Sequence, residues 1–124
     1  MATLTPTLTL TSSDLSADEN LSLSVSDSLT VNGQYNSRSV EVTTTSTAVL
    51  TASLYTKAYV FMQNHSTVDA EIITIEKADS GDEYFFLAPG EFAFFPWAST
   101  VDLFADAATG TPSLEVRVFE VAIS

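Results

Sequence analysis

Residues Lys57 to Trp97 read KAYVFMQNHSTVDAEIITIEKADSGDEYFFLAPGEFAFFPW. Apolar runs of strand length alternate in this stretch with short polar breaks, which is the pattern of consecutive β-strands. The stretch contains the only tryptophan and most of the phenylalanines of the chain. It therefore predicts the strands that supply most of the hydrophobic core.

Within this stretch, strands are predicted at Ala58–Gln63, Ala70–Lys77, Tyr84–Ala88 and Phe92–Phe95. The first of them is apolar at both sets of alternating positions, which predicts cover on both of its faces. Pro89-Gly90 separates the last two strands and predicts a type II turn, because glycine accepts the positive φ that this turn requires. Type II turns splay the strands that they join, so we expect these two strands to diverge into different sheets.

Alternation of apolar and polar residues predicts further strands on either side, at Thr3–Thr11, Leu21–Val31, Ser39–Thr47, Ala48–Leu54, Val101–Ala105 and Leu114–Ile123. In Leu21–Val31, leucine and valine occupy one set of alternating positions and mostly serine the other, which predicts a half-buried strand. Asn32-Gly33 then predicts a turn. In Leu114–Ile123 the apolar positions change parity at Phe119, which predicts either a β-bulge or a second half covered on both sides by a neighbour.

The whole chain predicts an all-β fold, because about nine strands are indicated and no segment keeps a helical period. We expect two antiparallel sheets packed face to face as a jelly-roll-like β-sandwich, with an extended N-terminal strand or arm. At 124 residues the chain has the length of one domain. Residues 1–20 are predicted to form the arm and a polar loop, with one helical turn at Ser16–Glu19, and residues 21–124 the single sandwich domain.

The charge of the chain restricts its partners. Sixteen acidic residues face four basic ones, for a formal net charge of −12. Such a chain is repelled by nucleic acid and by anionic lipid, so we expect proteins or neutral glycans as partners. The chain contains no cysteine, and it shows neither a secretory signal nor an apolar run long enough for a membrane helix. We therefore expect synthesis in the cytoplasm.

Three groups of side chains are candidates for a chemical site. His65 has Ser66 and Asp69 nearby, but this loop lacks a nucleophile elbow, so it predicts a solvated histidine. The turn from Asp79 to Glu83 has oxygen ligands without the spacing of a calcium loop, which leaves a cation there as an alternative. Carboxylates that could pair in a glycosidase are Glu71, Glu76, Glu91 and Glu115, and strand spacing predicts that they are outward surface positions. We predict no enzyme, no cofactor and no metal, with a carboxylate-pair hydrolase as an open alternative.

Aromatic residues are the largest departure from an ordinary small domain. Neighbours on a strand point to opposite faces, so consecutive aromatics need either cover on both sides or a partner. The serine- and threonine-rich strands carry almost no charge to block edge pairing, which also favours an assembly. The predicted interface residues are Leu4, Leu8, Leu10, Tyr84, Phe86, Phe92, Phe94, Trp97 and Phe119.

Four segments of the central stretch resemble a known family: Tyr59-Val60-Phe61-Met62-Gln63-Asn64, Glu71-Ile72-Ile73-Thr74-Ile75, Phe86-Leu87-Ala88-Pro89-Gly90-Glu91 and Phe95-Pro96-Trp97. Together they resemble small β-rich structural proteins of tailed bacteriophages, and most closely the capsid decoration, or cement, proteins with a jelly-roll fold. The resemblance covers about a third of the chain.

The resemblance implies a homo-oligomer, with a trimer favoured and a dimer as the alternative, bound to the major capsid protein of an icosahedral shell. It implies a location on the capsid surface, without nucleic acid or membrane as partners. The segment through Asn20 would reach a neighbouring subunit. The alternative is a tail or fibre component that adapts another structural protein or binds host glycan, with Trp97 and Tyr84 as the stacking platform.

Overall fold

The structure, a computed structural model, describes residues 2–14, 20–52, 57–77, 82–98 and 101–121, and the side chains of all of these except 33–35. Within these ranges the chain forms strands and no helix. The strands are Ala2–Leu4 (β1), Thr7–Ser12 (β2), Leu21–Ser26 (β3), Leu29–Glu41 (β4), Thr47–Leu50 (β5), Ala58–Asn64 (β6), Ile73–Lys77 (β7), Glu83–Leu87 (β8), Phe92–Trp97 (β9), Leu103–Ala107 (β10) and Ser113–Val121 (β11). The predicted all-β class is confirmed.

The strands form three sheets. A five-stranded sheet has the order β1-β4-β11-β6-β9, a four-stranded sheet the order β5-β10-β7-β8, and β2 pairs with β3 alone. The pairings with a described register are antiparallel. From β4 to β11 the pairs are nested: β4 lies beside β11, β5 beside β10, β6 beside β9, and β7 beside β8.

The chain divides into two compact units, which are described separately. The first comprises the described residues up to 33, and the second those from 34 to 121. Within the first unit, Leu21–Ser26 pairs with the N-terminal strand Thr7–Ser12. The division predicted at residue 20 stays a prediction.

Both larger sheets contribute to one hydrophobic core in the second unit. Strand β6 alternates fully buried with half-buried residues along its length, as expected of a strand with one face on the core. The predicted cover on both faces of this strand is thus incomplete, because Tyr59 and Phe61 stay half-buried. The core residues are Val42, Val49, Leu50, Ala58, Val60, Met62, Ile73, Ile75, Leu87, Trp97, Leu103, Ala105, Ala107, Leu114, Val116 and Val118.

The turn between β8 and β9 carries the chain from one sheet to the other. Gly90 has a φ of 85°, and the amide of Glu91 donates to the carbonyl of Ala88 at 2.9 Å. This geometry is that of a type II turn with glycine at its third position. Strand β8 ends the four-stranded sheet and β9 ends the five-stranded one, so the predicted divergence is confirmed.

Two predicted strands are each divided in the structure. Thr3–Thr11 is interrupted at Pro6, which has no amide hydrogen for a ladder, and gives β1 and β2. Leu21–Val31 is interrupted after Ser26, so that its end belongs to β4. The predicted half-burial of its first part is wrong, because all six residues of β3 are exposed.

At two places the structure differs from what the local sequence predicted, because the residues continue a paired strand. The turn predicted at Asn32-Gly33 is wrong, since β4 runs through both residues, held by pairing with β1 and β11. The bulge predicted at Phe119 is also wrong, because β11 keeps an unbroken register with β6 from Leu114 to Glu120. Phe119 simply occupies the outward set of alternating positions.

Other boundaries move by a few residues. The strand predicted at Ser39–Thr47 ends at Glu41 as part of β4, and β5 covers only Thr47–Leu50. Strands β7 and β10 begin later than Ala70 and Val101. The predicted helical turn at Ser16–Glu19, and the turn residues 78–81, lie outside the described residues.

Candidate interaction surfaces

The β2–β3 hairpin has one aliphatic face and one hydroxyl face. In its register, Leu8 lies opposite Val25 and Leu10 opposite Leu23, while Thr9 lies opposite Ser24. Directly opposed residues of antiparallel strands share a face. We call the aliphatic set the hairpin stripe; it comprises Leu8, Leu10, Leu21, Leu23 and Val25.

The hairpin stripe is open in the single chain. Its side chains are between 37% exposed, at Leu21, and 53% exposed, at Val25. An isolated two-stranded sheet is marginally stable in water, because it has no second layer on which to bury its apolar face. The stripe therefore has the character of a surface that another molecule covers.

A second apolar surface lies on the outward side of β11, β6 and β9. Across these strands, Phe119 lies opposite Tyr59, which lies opposite Pro96, and Phe61 lies opposite Phe94. These residues alternate with the buried core positions, so they point away from the core. We call this set the aromatic face; it comprises Tyr59, Phe61, Phe92, Phe94, Pro96 and Phe119.

The rings of the aromatic face pack on one another across β6 and β9. Tyr59 and Phe94 are stacked with ring centroids 6.1 Å apart, and Phe61 and Phe92 with centroids 6.2 Å apart. Phe92 nevertheless stays 60% exposed and Phe94 40% exposed. Exposed, mutually supported aromatic rings are the side chains that anchor protein interfaces.

Charged groups border the aromatic face. The Lys57 ammonium lies 5.5 Å from the centre of the Tyr59 ring, a cation–π distance. Arg117 lies opposite Phe61 and donates from its Nε to Glu115, whose other oxygen is 2.7 Å from Nε2 of His65. The hydrogen bonds from Arg117 and then His65 hold the pKa of Glu115 below its ordinary value.

A third apolar surface follows β8, the end strand of the four-stranded sheet. Tyr84 is 49% exposed and Phe86 is 58% exposed. An open groove of about 520 Å³ adjoins Phe86 and is lined by Phe85, Phe86, Leu87, Gly90, Glu91, Phe92 and Ala93. We call Tyr84 and Phe86 the β8 surface.

The predicted interface residues are thus placed on three surfaces, with two departures. Leu8 and Leu10 are in the hairpin stripe, Phe92, Phe94 and Phe119 are in the aromatic face, and Tyr84 and Phe86 form the β8 surface. Leu4 lies apart from them in β1, opposite Leu29, and is half-buried.

Trp97 needs a correction. It is only 6% exposed, belongs to the core, and donates from its indole nitrogen to the carbonyl of Val101 at 3.2 Å. Its position at the end of β9 falls in the inward set of alternating positions, which explains the burial. Trp97 therefore offers little surface to a partner or to a sugar.

The fold does not bring the candidate catalytic residues together. Ser66 donates to Glu71 at 2.5 Å, whereas His65 contacts Glu115, so the serine and the histidine have separate carboxylate partners. Asp69 is exposed. His65 is exposed as predicted, and its side chain also contacts Glu115.

The four glutamates named as possible acid–base pairs occupy different environments. Glu91 accepts the amide of Ala88 within the type II turn, and Glu71 and Glu115 have the partners given above. Glu76 is only 5% exposed and accepts a hydrogen bond from Ser46 at 2.8 Å, so its prediction as an outward surface position is wrong.

A carboxyl pair that the sequence did not reveal lies beside Glu76. Burial, the charges of Glu76 and Glu83, and a hydrogen bond with Glu76 raise the pKa of Asp106. Asp106 and Glu76 are 30 positions apart in the sequence, and they meet only because β10 pairs with β7. Sequence reasoning could have found them only with this register in hand.

The described residues also bear on metal binding and on membrane-spanning helices. Among them, no group of three or more His, Cys, Asp or Glu side chains is arranged to hold a metal ion. The cation considered at Asp79–Glu83 falls largely on residues outside the described ranges and stays an open alternative. In the part of the chain that the structure describes, no helix is long and apolar enough to cross a membrane.

No protein-family model matches the chain, and no curated protein sequence matches it significantly.

Proposed function

We propose that this chain is a structural subunit of a tailed-bacteriophage virion, which decorates the capsid shell as a cement protein. It is made in the host cytoplasm and binds the major capsid protein through protein–protein contacts, without nucleic acid or membrane. Copies associate as a homotrimer, with a dimer as the alternative. Sequence resemblance and the exposed apolar surfaces support this function.

The observation that carries the proposal is the number of large apolar side chains left open. Ten of them are exposed among the described residues, and nine of the ten lie on the hairpin stripe, the aromatic face or the β8 surface. Contiguous exposed apolar surface marks sites of interaction with other proteins. A subunit that works only within an assembly has a reason to carry so much of it.

A jelly-roll sandwich is the fold that we propose for the second unit. In a jelly roll, eight strands form a long hairpin of nested antiparallel pairs that is rolled into two sheets. The nested pairs from β4–β11 to β7–β8 follow this scheme. Every connection between β4 and β11, except β7 to β8, passes from one sheet to the other, and the two sheets share one core.

The β8 surface is the part that we assign to shell docking. Phe86 lines an open groove together with the exposed acidic residue Glu91, and Tyr84 follows the exposed Glu83 on the same strand. An aromatic anchor beside a polar rim is the usual composition of a protein interface. The other two apolar surfaces then remain for contacts among copies of this chain.

The test uses assembled shells that lack this protein. Purified protein should bind such shells and raise the temperature at which they rupture. The double variant Tyr84→Ser/Phe86→Ser should lose binding, whereas Val68→Ser should keep it, because Val68 is 52% exposed but lies in the loop between β6 and β7 and belongs to none of the three surfaces. Binding to tails alone, or an unchanged rupture temperature, would show that the protein is not a cement subunit.

The tail or fibre alternative has less support. Its glycan platform required Trp97 and Tyr84 to be exposed together, and the indole of Trp97 is in the core. We therefore propose the capsid function alone.

A further inference from the structure

We propose that the hairpin stripe of one copy covers the aromatic face of a second copy, and that copies joined in this way close into a ring. The proposal concerns only contacts among copies of this chain. It goes beyond the proposed function and does not depend on it, because the ring forms without a shell.

Both surfaces need cover, and each chain carries one of each. Leu8 and Val25 in the stripe are 46% and 53% exposed, and Phe92 in the aromatic face is 60% exposed. Removal of such area from water drives association. An interface between unlike surfaces uses both on every copy and leaves neither open once the ring closes. An interface between two identical surfaces would cover only one of them.

Charge points to a second copy as the occupant. The chain has a net charge of −12, so most contacts between copies would bring like charges together. The two strands of the hairpin, Thr7–Ser12 and Leu21–Ser26, include no ionisable side chain, and the acidic residues next to them in the sequence, Asp14, Asp18, Glu19 and Asp27, lie outside the strands. The stripe can therefore approach another acidic copy without that repulsion.

The aromatic face offers the complementary property. Lys57 and Arg117, two of the four basic residues of the chain, are at its border. Glu115 offsets the charge of Arg117, so the Lys57 ammonium supplies the positive charge where an acidic copy arrives. Because the border is positive, it favours an uncharged apolar stripe carried by an acidic chain over a stripe carried by a basic partner.

The first experiment separates the two surfaces by variants and measures mass by light scattering. Leu8→Asp/Leu10→Asp charges the stripe, and Phe92→Asp/Phe94→Asp charges the aromatic face. Thr9→Asp is the control for the hairpin, because it adds a negative charge to the same strand on the hydroxyl face, one charge where the double variant adds two. Val68→Asp is the control for the aromatic face.

We expect wild-type protein and both controls to assemble and each double variant to be monomeric. When the two double variants are mixed, one stripe and one aromatic face remain intact between them, so a one-to-one dimer should form. A monomeric wild-type protein, a charged-stripe variant that still assembles, or a mixture that stays monomeric would each overturn the proposal.

A second experiment does not depend on the folding of charged variants. The chain has no cysteine, so single substitutions report contacts without background. Leu10→Cys and Phe94→Cys chains should form a disulfide with each other faster than either does with itself. Equal rates, or faster pairing of Leu10→Cys with itself, would contradict an interface between unlike surfaces. Shell binding is measured separately for the Leu8→Asp/Leu10→Asp variant, whose Tyr84 and Phe86 are unchanged, so a failure of the ring and a failure of shell binding can be told apart.

Discussion

Replacing Asn64 with alanine should destabilise the second unit more than any other single polar substitution on β6. Asn64 is fully buried at the end of this strand. Its side-chain nitrogen donates to the carbonyls of Glu71 and Leu87, each at 2.9 Å, and its side-chain oxygen accepts the amide of Ser66 at 2.9 Å. One side chain thus joins β6, the loop after it and the end of β8.

The magnitude follows from the groups that the substitution leaves without partners. A buried polar group that loses its hydrogen bond costs about 1–3 kcal/mol, so the two carbonyls that lose a donor should together lower the free energy of unfolding by about 2–6 kcal/mol, and the amide of Ser66, which loses its acceptor, adds to this loss. This is a large part of the roughly 5–15 kcal/mol typical of a folded domain.

Urea unfolding followed by tryptophan fluorescence measures this loss, since Trp97 reports on the core. The matched control is Gln63→Ala on the preceding residue, whose side chain makes one exposed hydrogen bond, to the carbonyl of Gly90 at 3.3 Å. We expect the control to change the free energy of unfolding by less than about 1 kcal/mol. Equal effects of the two substitutions, at unchanged denaturant slope, would refute the role given to Asn64.

Two further predictions concern a glycine and a carboxyl pair. Gly110 has a φ of 69°, and a Cβ at this position would overlap the carboxyl group of Glu71, so Gly110→Ala should lower the melting temperature, and by less in a Glu71→Ala background. The raised pKa of Asp106 means that the folded state binds this proton more tightly than the unfolded chain. The free energy of unfolding should therefore gain a contribution as the pH falls through that raised pKa to the ordinary value of 3.8, and Asp106→Asn should remove this contribution. A wild-type pH profile of stability identical to that of Asp106→Asn would contradict the argument for the carboxyl pair. An equal loss of melting temperature from Gly110→Ala in the Glu71→Ala background would contradict the argument for the glycine.

Local chemistry in the sequence determined some elements well. Pro89-Gly90 predicted both a turn type and the separation of β8 and β9, because proline and glycine restrict the backbone at the turn itself. The apolar run in Ala58–Gln63 likewise located β6 within one residue of its end. Such signals need no knowledge of a partner strand.

Other elements depend on which strands pair, and the sequence does not carry that information. Leu21–Val31 has the alternation of a half-buried strand, yet its first part pairs only with β2 and stays exposed. Asn32-Gly33 has the composition of a turn, but sheet pairing keeps it extended. A period of two shows that two faces differ and says nothing about whether either face is covered.

The candidate surfaces show the same division. The sequence predicted Phe92 and Phe94 as interface residues, because crowded aromatics exceed what one core can take, and the structure leaves both rings exposed. It misplaced Trp97, since inward and outward positions of β9 are separated by a single residue. The proximity of Asp106 to Glu76 required the β10–β7 register.

The most direct test of the account is the mass of the wild-type protein in solution across a wide concentration range. Sedimentation equilibrium from about 1 to 100 µM covers the affinities expected of a weak to moderate assembly. The account predicts a mass that rises from that of the 13.3 kDa chain to a small closed multiple of it. A constant 13.3 kDa throughout, with no binding of a dye specific for exposed apolar surface, would contradict it.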